Sequence, residues 1–415
     1  MAPPITGSPT NYTVFNGYQD LSQKDAAAVT LAIEDLKINS SLTSLGLTGI
    51  GLGHEGIASL AQALIQNSTL TSLNLKLNQL DATDAASLAQ ALLQNSTLTN
   101  LSLEGNLLCH EGTASLAPAL TQNSTLTSLS LASNVLRQAG AESLAVALTH
   151  NSSLTSLNLR DNQLGAGAVS LALALTHSPN LTSLNLMSNE LRANGAVAFA
   201  QLLAQNTSLT YMNLESNYLG SNGTNSLALA LTQNANLRRL NLSSNQINDE
   251  GATSLGQALT QNPTLTNLNL EGNWIGPIGA ASLAQALSVN SVLSRLNLKS
   301  NLFGANGGAS LAQALTQNST LTELDLESNL LSDEGVSSLA EALTQNTQLT
   351  HLNLRHNQFD DQGAISLAGA LTVNSSLASL NLWSNHLGAD GAAALAGALR
   401  VNSSLTNLTL GNNPL

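Results

Sequence analysis

Apolar and polar positions along this chain follow a repeating block of 28 residues. The block reads L-x-x-L-x-L-x-x-N-x-L-x-x-x-G-A-x-S-L-A-x-A-L-x-x-N-S-x, and positions below refer to this pattern. A fragment starting at Leu405 ends the chain. Full copies begin at Leu42, Leu70, Leu98, Leu126, Leu154, Leu181, Leu209, Leu237, Leu265, Leu293, Leu321, Leu349 and Leu377. Self-similarity at this period predicts a solenoid, in which each unit buries its apolar face only by stacking on its neighbours.

Each block carries the pattern of one strand and one helix. Apolar residues at positions 1, 4 and 6 bracket a short strand, as in Leu154, Leu157 and Leu159. Those at positions 16, 19, 20 and 23 share one helical face, as Ala280 and Leu283 do in their repeat. Parallel strands stack about 4.8 Å apart, whereas packed helices need about 8–10 Å. The stack is therefore predicted to curve, with parallel strands on the concave face and helices on the convex face.

Asparagine recurs at position 9 of every copy except the first, where Ile50 stands. A side-chain amide both donates and accepts hydrogen bonds, so we expect it to satisfy loop backbone groups where the chain leaves the strand. These structural asparagines are Asn78, Asn106, Asn134, Asn162, Asn189, Asn217, Asn245, Asn273, Asn301, Asn329, Asn357 and Asn385.

A second asparagine, such as Asn67 or Asn95, follows the last helical turn, where we expect the left-handed backbone conformation. The repeat from Leu154 is one residue shorter and has Ser178 at this place, so we expect a local distortion there.

Residues 1–41 do not follow the repeat cleanly. Residues 25–38 have the pattern of an amphipathic helix, which we interpret as a cap on the first repeat. Three aromatic residues are expected to pack against that repeat, namely Tyr12, Phe15 and Tyr18. The predicted division is therefore a tail and helical cap over 1–41 and a solenoid over 42–415.

The chain stops at Leu415, after a strand without its helix, which leaves an open sheet edge. We expect a monomer, with association through this C-terminal edge as the alternative.

Composition narrows the possible partners. Charged residues make up 9% of the chain, and the net charge is −13. Twelve Lys and Arg do not supply the basic stripe that nucleic acid requires, and an anionic membrane is disfavoured for the same reason. Cys109 is the single cysteine, which excludes an intrachain disulfide framework and fits a reducing compartment. We expect neither nucleic acid nor membrane as a partner.

The L-x-x-L-x-L-x-x-N segment, the 28-residue period and the G-A-x-S-L-A-x-A-L helix together resemble the leucine-rich repeat family. The resemblance covers roughly residues 42–415 and is closest to the ribonuclease-inhibitor-like subfamily. It implies a right-handed α/β horseshoe that binds other proteins on its concave face and rims. The inhibitors of that subfamily are rich in cysteine and this chain is not, so the resemblance does not point to ribonuclease as the partner.

Binding information lies where the repeats differ. Position 3 is bland in the first six copies and becomes aromatic and charged from Tyr211 onward, while positions 7 and 10 add further aromatic and charged residues. Trp, Tyr and Arg dominate the binding energy of protein interfaces. The predicted partner-binding residues are Tyr211, Glu215, Tyr218, Arg239, Trp274, Arg295, Glu323, Asp325, His351 and Trp383.

The sequence contains no pattern typical of a catalytic, metal or cofactor site, and we predict none. Arg295, Glu323 and His351 occupy position 3 of successive repeats, which we interpret as a ladder of surface charges. His54-Glu55 and Cys109-His110-Glu111 occupy equivalent loops two repeats apart, at least about 10 Å by strand spacing, so they cannot share one ion.

The predicted function is a non-catalytic scaffold for protein–protein interaction. The resemblance implies an inhibitor-type binder, a sensor domain like those of NOD-like receptors, or a bacterial effector. The alternative is a GTPase-activating protein resembling the Ran GTPase activators, which share this repeat but typically carry an acidic tail after it. We expect the protein in the cytoplasm, or in the host cytosol if it is a bacterial effector.

Overall fold

The computed structural model describes residues 18–20, 26–176 and 178–415. Within them the chain forms two compact units, unit 1 ending at Asn162 and unit 2 beginning at Gln163. Short strands alternate with helices in both units, which confirms the predicted α/β solenoid. Tyr12 and Phe15 of the predicted cap lie outside the described residues, and the division at residue 41 stays a prediction.

Unit 1 contains six strands and five helices within its described residues. Neighbouring strands pair in parallel and in sequence order. The elements are β1 Tyr18–Asp20, α1 Ala26–Leu36, β2 Ser44–Gly46, α2 Gly53–Gln66, β3 Ser72–Asn74, α3 Ala82–Gln94, β4 Asn100–Ser102, α4 Cys109–Gln122, β5 Ser128–Ser130, α5 Arg137–Leu148 and β6 Ser156–Asn158.

Unit 2 begins with a helix and contains nine strands within its described residues. Its strands are also parallel and consecutive. The elements are α6 Gly167–Leu175, β7 Ser183–Asn185, α7 Arg192–Gln205, β8 Tyr211–Asn213, α8 Gly220–Gln233, β9 Arg239–Asn241, α9 Asp249–Leu259, β10 Asn267–Asn269, α10 Pro277–Leu287, β11 Arg295–Asn297, α11 Gly304–Leu315, β12 Glu323–Asp325, α12 Ser332–Leu343, β13 His351–Asn353, α13 Asp361–Leu371, β14 Ser379–Asn381, α14 Ala389–Leu399 and β15 Asn407–Thr409.

The core of each unit lies between its sheet and its helices. In most strands the central residue is buried while its two neighbours are more exposed, as with Leu268 in β10, which is 2% exposed. Helices bury the predicted face, as Ala280 and Leu283 show in α10. The residues at positions 3 and 5 therefore lie on the opposite side of the sheet from the helices, and we call this side the strand face.

Asparagines at position 9 link each loop to the preceding repeat. The Nδ2 of Asn245 donates to the Leu214 carbonyl at 2.8 Å and to the Ser243 carbonyl at 3.0 Å. Its Oδ1 accepts from the backbone N–H of Asn217 at 2.9 Å. Its own backbone N–H donates in turn to the Oδ1 of Asn273. A buried backbone group without a partner is costly, so these amides stabilise the stacked loops.

The second asparagine does not adopt the left-handed conformation, and that prediction was wrong. Asn234 has φ −79° and ψ 124°, which is extended backbone. Its Oδ1 accepts from the N–H groups of Asn236 and Leu237, and its Nδ2 donates to the Leu203 carbonyl of α7. The amide thus bridges two repeats, and this geometry needs an extended backbone.

Left-handed residues occur instead in the loops that follow the strands. Ser244 and Gln246 have φ of 54° and 61°, on either side of a position-9 asparagine. Glycines at equivalent positions, such as Gly49 and Gly51, have φ of 68° and 63°. These recurring glycines were the sequence signal for the left-handed loop.

The short repeat beginning at Leu154 is locally different, as predicted. Its helix α6 has nine residues, the fewest among the described helices. At Ser178, where the distortion was predicted, the backbone N–H donates to the carbonyl of Leu175, three residues back, whereas the N–H of Asn67 at the equivalent place donates to Ala63, four residues back. Among the described residues, none of the helices is both long enough and apolar enough to span a bilayer.

Candidate functional site

The strand face of unit 2 forms an open groove of about 600 Å³ along β8 to β15, and we call it the unit 2 groove. Its lining consists mainly of polar residues at positions 3 and 5 and of the position-4 leucines between them, whose side chains are largely buried in the core. Six of the predicted partner-binding residues line this groove, namely Tyr211, Arg239, Arg295, Glu323, Asp325 and His351. The structure therefore brings more than half of the predicted set onto one surface.

Tyr211 and Arg239 form one pair at the end of the groove. The parallel register places them side by side on β8 and β9, and the guanidinium carbon of Arg239 lies 5.0 Å from the centre of the Tyr211 ring. This is the geometry of a cation–π contact. Burial is the main cause that raises the pKa of the Tyr211 hydroxyl, so the hydroxyl stays protonated at neutral pH.

Arg295, Glu323 and His351 lie in register on β11, β12 and β13, as the predicted ladder requires. The Nε of Arg295 contacts the Oε1 of Glu323 at 3.0 Å. The Nδ1 of His351 lies 2.9 Å from the Oγ1 of Thr350. Exposed pairs of this kind contribute about 0–1 kcal/mol, so the ladder orders side chains more than it stabilises the fold.

Most copies of the repeat carry asparagine at position 5, but the copy beginning at Leu321 carries the acid Asp325 there. Its Oδ1 accepts from the Glu327 N–H at 2.9 Å and its Oδ2 accepts from the Asn353 Nδ2 at 3.1 Å. Burial raises the pKa of this carboxyl, against the hydrogen bonds that lower it. The charge of Asp325 is therefore held at some cost on the floor of the groove.

A second charged column runs along position 7, of which only Glu215 and Trp383 were in the predicted set. The Nζ of Lys299 lies 3.3 Å from an oxygen of Glu271 and 3.7 Å from one of Glu327. The Nε of Arg355 lies 3.6 Å from the same Glu327 oxygen. Burial lowers the pKa of Lys299, but the hydrogen bond to Glu271 and the surrounding carboxylates outweigh it, so the pKa is raised. The alternation of charge sign at intervals of 28 residues was the signal for this column.

Four predicted residues lie outside the groove lining. Glu215 accepts from the Asn241 Nδ2 at 2.9 Å. Arg355 lies over the Trp383 ring, 5.7 Å from its centre. Tyr218 and Trp274 lie on the loops that leave the strands, 54% and 57% exposed. The structure thus divides the predicted set between the groove and the loops beside it.

Unit 1 contains a cluster of one histidine and two aspartates that was not predicted from the sequence. The Nδ1 of His54 lies 3.0 Å from the Oδ1 of Asp84, and its Nε2 lies 3.8 Å from the Oδ2 of Asp81. Asp81 also caps α3, accepting from the N–H groups of Thr83 and Asp84. The hydrogen bond to Asp84, followed by the charges of Asp84 and Asp81, raises the pKa of His54.

The 28-residue period places residue 82 at the position equivalent to His54 in the next repeat, and Asp81 and Asp84 lie close to it in sequence. This spacing was the sequence signal for the cluster. The backbone hydrogen bond from Asp84 is the main cause that lowers the pKa of Asp81. A histidine and two carboxylates are also possible metal ligands. Here these groups contact one another and the first turn of α3. We therefore interpret them as a structural contact between two neighbouring repeats.

Comparisons with known proteins agree with the architecture. A family model described as Leucine Rich repeat matches nine segments, which together cover more than half of the chain. They are residues 66–89, 122–145, 150–172, 177–200, 233–256, 261–284, 317–340, 345–368 and 373–396. No curated protein matched the sequence.

Two solved structures are similar to this chain. An internalin (inlF) from Listeria monocytogenes is 22% identical, with a TM-score of 0.58 over 92% of this chain and 94% of that one. A chain of the Rad7 and Elc1 complex from yeast is 17% identical, with a TM-score of 0.49 over 86% of this chain and 83% of that one. At 22% identity the likeness to the internalin shows the fold alone.

Proposed function

This chain belongs to the leucine-rich repeat family, and from that premise we propose that it is a non-catalytic scaffold that binds a partner protein in the unit 2 groove. The observation that carries the proposal is the concentration of Tyr211, Arg239, Arg295 and Glu323 along one open face. Tyrosine and arginine are among the residue types that supply most of the binding energy where proteins meet.

The contacts within the groove support recognition of a protein surface. Tyr211 holds Arg239 by its ring, and Glu323 holds Arg295 by its carboxylate. Both arginines remain exposed at the ends of these contacts. A guanidinium that is already oriented loses less entropy when it bonds to a partner carboxylate. The groove therefore offers ordered donors to an incoming acidic or polar segment.

The partly buried carboxyl of Asp325 adds a specificity element. Its neighbours at position 5, Asn297 and Asn353, are neutral amides. A partner that places a hydrogen-bond donor here gains a charge-assisted bond, whereas one that places an acid here meets repulsion. We infer that the bound segment carries a donor opposite β12.

The test replaces both groove arginines, Arg239→Ala and Arg295→Ala, in one variant. Partners captured from native lysate by the unaltered protein are identified by mass spectrometry, and the strongest is purified for titration. We expect the variant to raise the Kd at least about tenfold, since removal of an interface anchor costs about 1–2 kcal/mol or more.

A matched variant, Arg160→Ala with Arg192→Ala, removes the same charge from exposed arginines outside the groove. It should change the Kd less than about twofold. Both variants should keep the circular dichroism spectrum of the unaltered protein. Equal loss of affinity in the two variants would move the docking surface away from the groove.

The GTPase-activating alternative is separated by a different measurement. GTP hydrolysis is followed for a panel of small GTPases with and without the protein. Unchanged rates are expected for a scaffold. A stimulated rate that the groove variant abolishes would replace the scaffold proposal with the enzymatic one.

A further inference from the structure

A depression of about 430 Å³ lies beside the loops of unit 2, separate from the groove. Its lining includes the indole of Trp274, the carboxylate of Glu250 and the side chains of Gln246, Asn248 and Ser221. It thus combines one large aromatic face, one carboxylate and polar groups. Trp274 is 57% exposed, which leaves much of its ring available for contact.

The backbone that carries these two side chains is held by specific hydrogen bonds. The Oδ1 of Asn248 accepts from the N–H groups of Glu250 and Gly251 at the start of α9, and also from the Ser221 hydroxyl. The Nδ2 of Asn225 donates to the Oε1 of Glu250 at 3.1 Å. The backbone N–H of Trp274 donates to the Ile247 carbonyl at 2.8 Å. The backbone of Trp274 and the carboxylate of Glu250 are therefore held in place by these bonds.

The loop of Trp274 is also tied to the start of α10. The Oδ1 of Asp249 accepts from the N–H groups of Gly276 and Gly279 at 2.8 Å and 2.7 Å. This contact joins the repeat that carries Glu250 to the repeat that carries Trp274. The depression consequently spans two repeats that are bonded to each other.

None of the described residues that line this depression is Lys, Arg or His. Residues 240–294 contain no Lys, Arg or His. Tyr211 and Trp383 each already hold an arginine over the ring, whereas Trp274 holds none among the described residues. In the same part of the chain, Glu250 forms no ion pair within 4.0 Å. An aromatic face and a carboxylate here lack the cation that similar rings of this molecule hold.

We propose that this depression binds the Lys or Arg side chain of a partner protein, with the cation over the Trp274 ring and against the Glu250 carboxylate. Tryptophan is the strongest of the aromatic cation–π acceptors, and the carboxylate adds a charge-assisted hydrogen bond. The proposal rests on the proposed protein-binding function and extends it to a second surface with its own chemistry.

The test uses a fluorescein-labelled hexa-arginine amide and follows its polarisation at low ionic strength. We expect Glu250→Gln and Trp274→Leu each to weaken binding about fivefold or more. Glu334→Gln is the matched control, because Glu334 is exposed and occupies the same repeat position. The repeat after Glu334 carries Gln358 at the position that Trp274 occupies in the proposed site, so Glu334 has no tryptophan at the equivalent place beside it. The Glu334→Gln control should therefore weaken binding less than about twofold.

A direct readout comes from Trp274 itself. The chain has two tryptophans, so Trp383→Phe leaves Trp274 as the single indole emitter. Hexa-arginine amide without the label should change this emission, while hexa-citrulline amide of the same length should not. The Glu250→Gln variant in that background should need a higher peptide concentration for the same change.

Two results would overturn the proposal. Equal weakening by Glu250→Gln and Glu334→Gln would show only the general attraction of a chain with a net charge of −13. Peptide binding that leaves the Trp274 emission unchanged would place the cation elsewhere. Because the readout is peptide binding to loop residues, its failure is distinguishable from a failure of the groove variants to affect partner capture.

Discussion

Individual polar side chains link neighbouring repeats of this molecule. The amide of Asn245 bonds to backbone groups of its own repeat and of the preceding one, and it is fully buried. His54 does the same with charge, because it contacts Asp81 and Asp84 of the next repeat. A buried polar group is tolerated only when its hydrogen bonds are made, so each such residue stabilises a stacked pair of repeats.

The contact of His54 predicts a dependence of unit 1 stability on pH. The pKa of His54 is raised in the folded protein, so the protonated ring binds its carboxylates more tightly than the neutral ring does. This contribution is complete below the unfolded pKa of about 6.5 and is lost as pH rises through the folded pKa. His54→Gln should therefore lower the Tm of unit 1 at about pH 5.5, with little difference at about pH 9.

Thermal melts of the variant and the unaltered protein at both pH values check this expectation. His150→Gln is the control, since His150 is exposed and forms no ion pair among the described residues. A His54→Gln difference that stays the same size at high pH would contradict the ionic origin of the contact.

Helix α4 departs from the repeat pattern because it contains a proline. Position 21 carries glutamine in α2 and α3, as Gln62 and Gln90, but Pro118 in α4. Proline has no N–H to donate to the Ala114 carbonyl, and its ring crowds that carbonyl. The helix is retained because its apolar face packs against the neighbouring helices α3 and α5.

Pro118→Gln should raise the free energy of unfolding of unit 1 by about 1–3 kcal/mol. Urea unfolding followed by circular dichroism measures the change. Gln90→Pro is the reciprocal variant and should lower stability, because it creates the same defect in α3. An unchanged midpoint for Pro118→Gln would mean that α4 already accommodates the proline without loss.

The positions of strands and helices could be predicted from the sequence because they depend on local periodicity. The backbone conformation at Asn234 could not be predicted in this way. The apolar spacing at positions 16, 19, 20 and 23 specifies a helix wherever it occurs. The extended backbone of Asn234 results from its bond to Leu203 in the preceding repeat, a contact with no local signature. The pairing of Lys299 with Glu327 in the position-7 column was not predicted, because this ion pair forms only between stacked repeats.

At the scale of the whole molecule, charge is distributed unevenly within unit 2. From residue 209 to residue 348 all four basic residues, Arg238, Arg239, Arg295 and Lys299, lie in or beside the strands. The helices of this stretch carry acids such as Glu250 and Glu334 but no base. The two proposed surfaces therefore have opposite preferences, the groove for acidic or polar segments and the loop depression for a cation.

Repeats contact chiefly their neighbours, so damage to one should spread gradually along unit 2. Leu268→Asn should lose about 1.5–3 kcal/mol of burial and add a buried amide without partners. Amide hydrogen exchange should accelerate most in β9, β10 and β11 and less at greater distance within unit 2.

Asn267→Ser alters the adjacent, partly exposed residue of β10 and should leave exchange unchanged. Uniform acceleration across all of unit 2 would show that it opens as a single cooperative block. An exchange pattern identical to that of the unaltered protein would place Leu268 outside the core.

The sequence by itself determined the repeat, the alternation of strand and helix, the buried leucines and the family, because each follows from spacing along the chain. Tertiary structure alone decided which side chains meet across repeats. It joined His54 to Asp84 and Lys299 to Glu327, and it separated Trp274 from the groove. The physical reason is that side-chain pairing depends on rotamers and loop geometry. The repeat period identifies which positions are neighbours in successive repeats, but it does not determine which side chains come into contact.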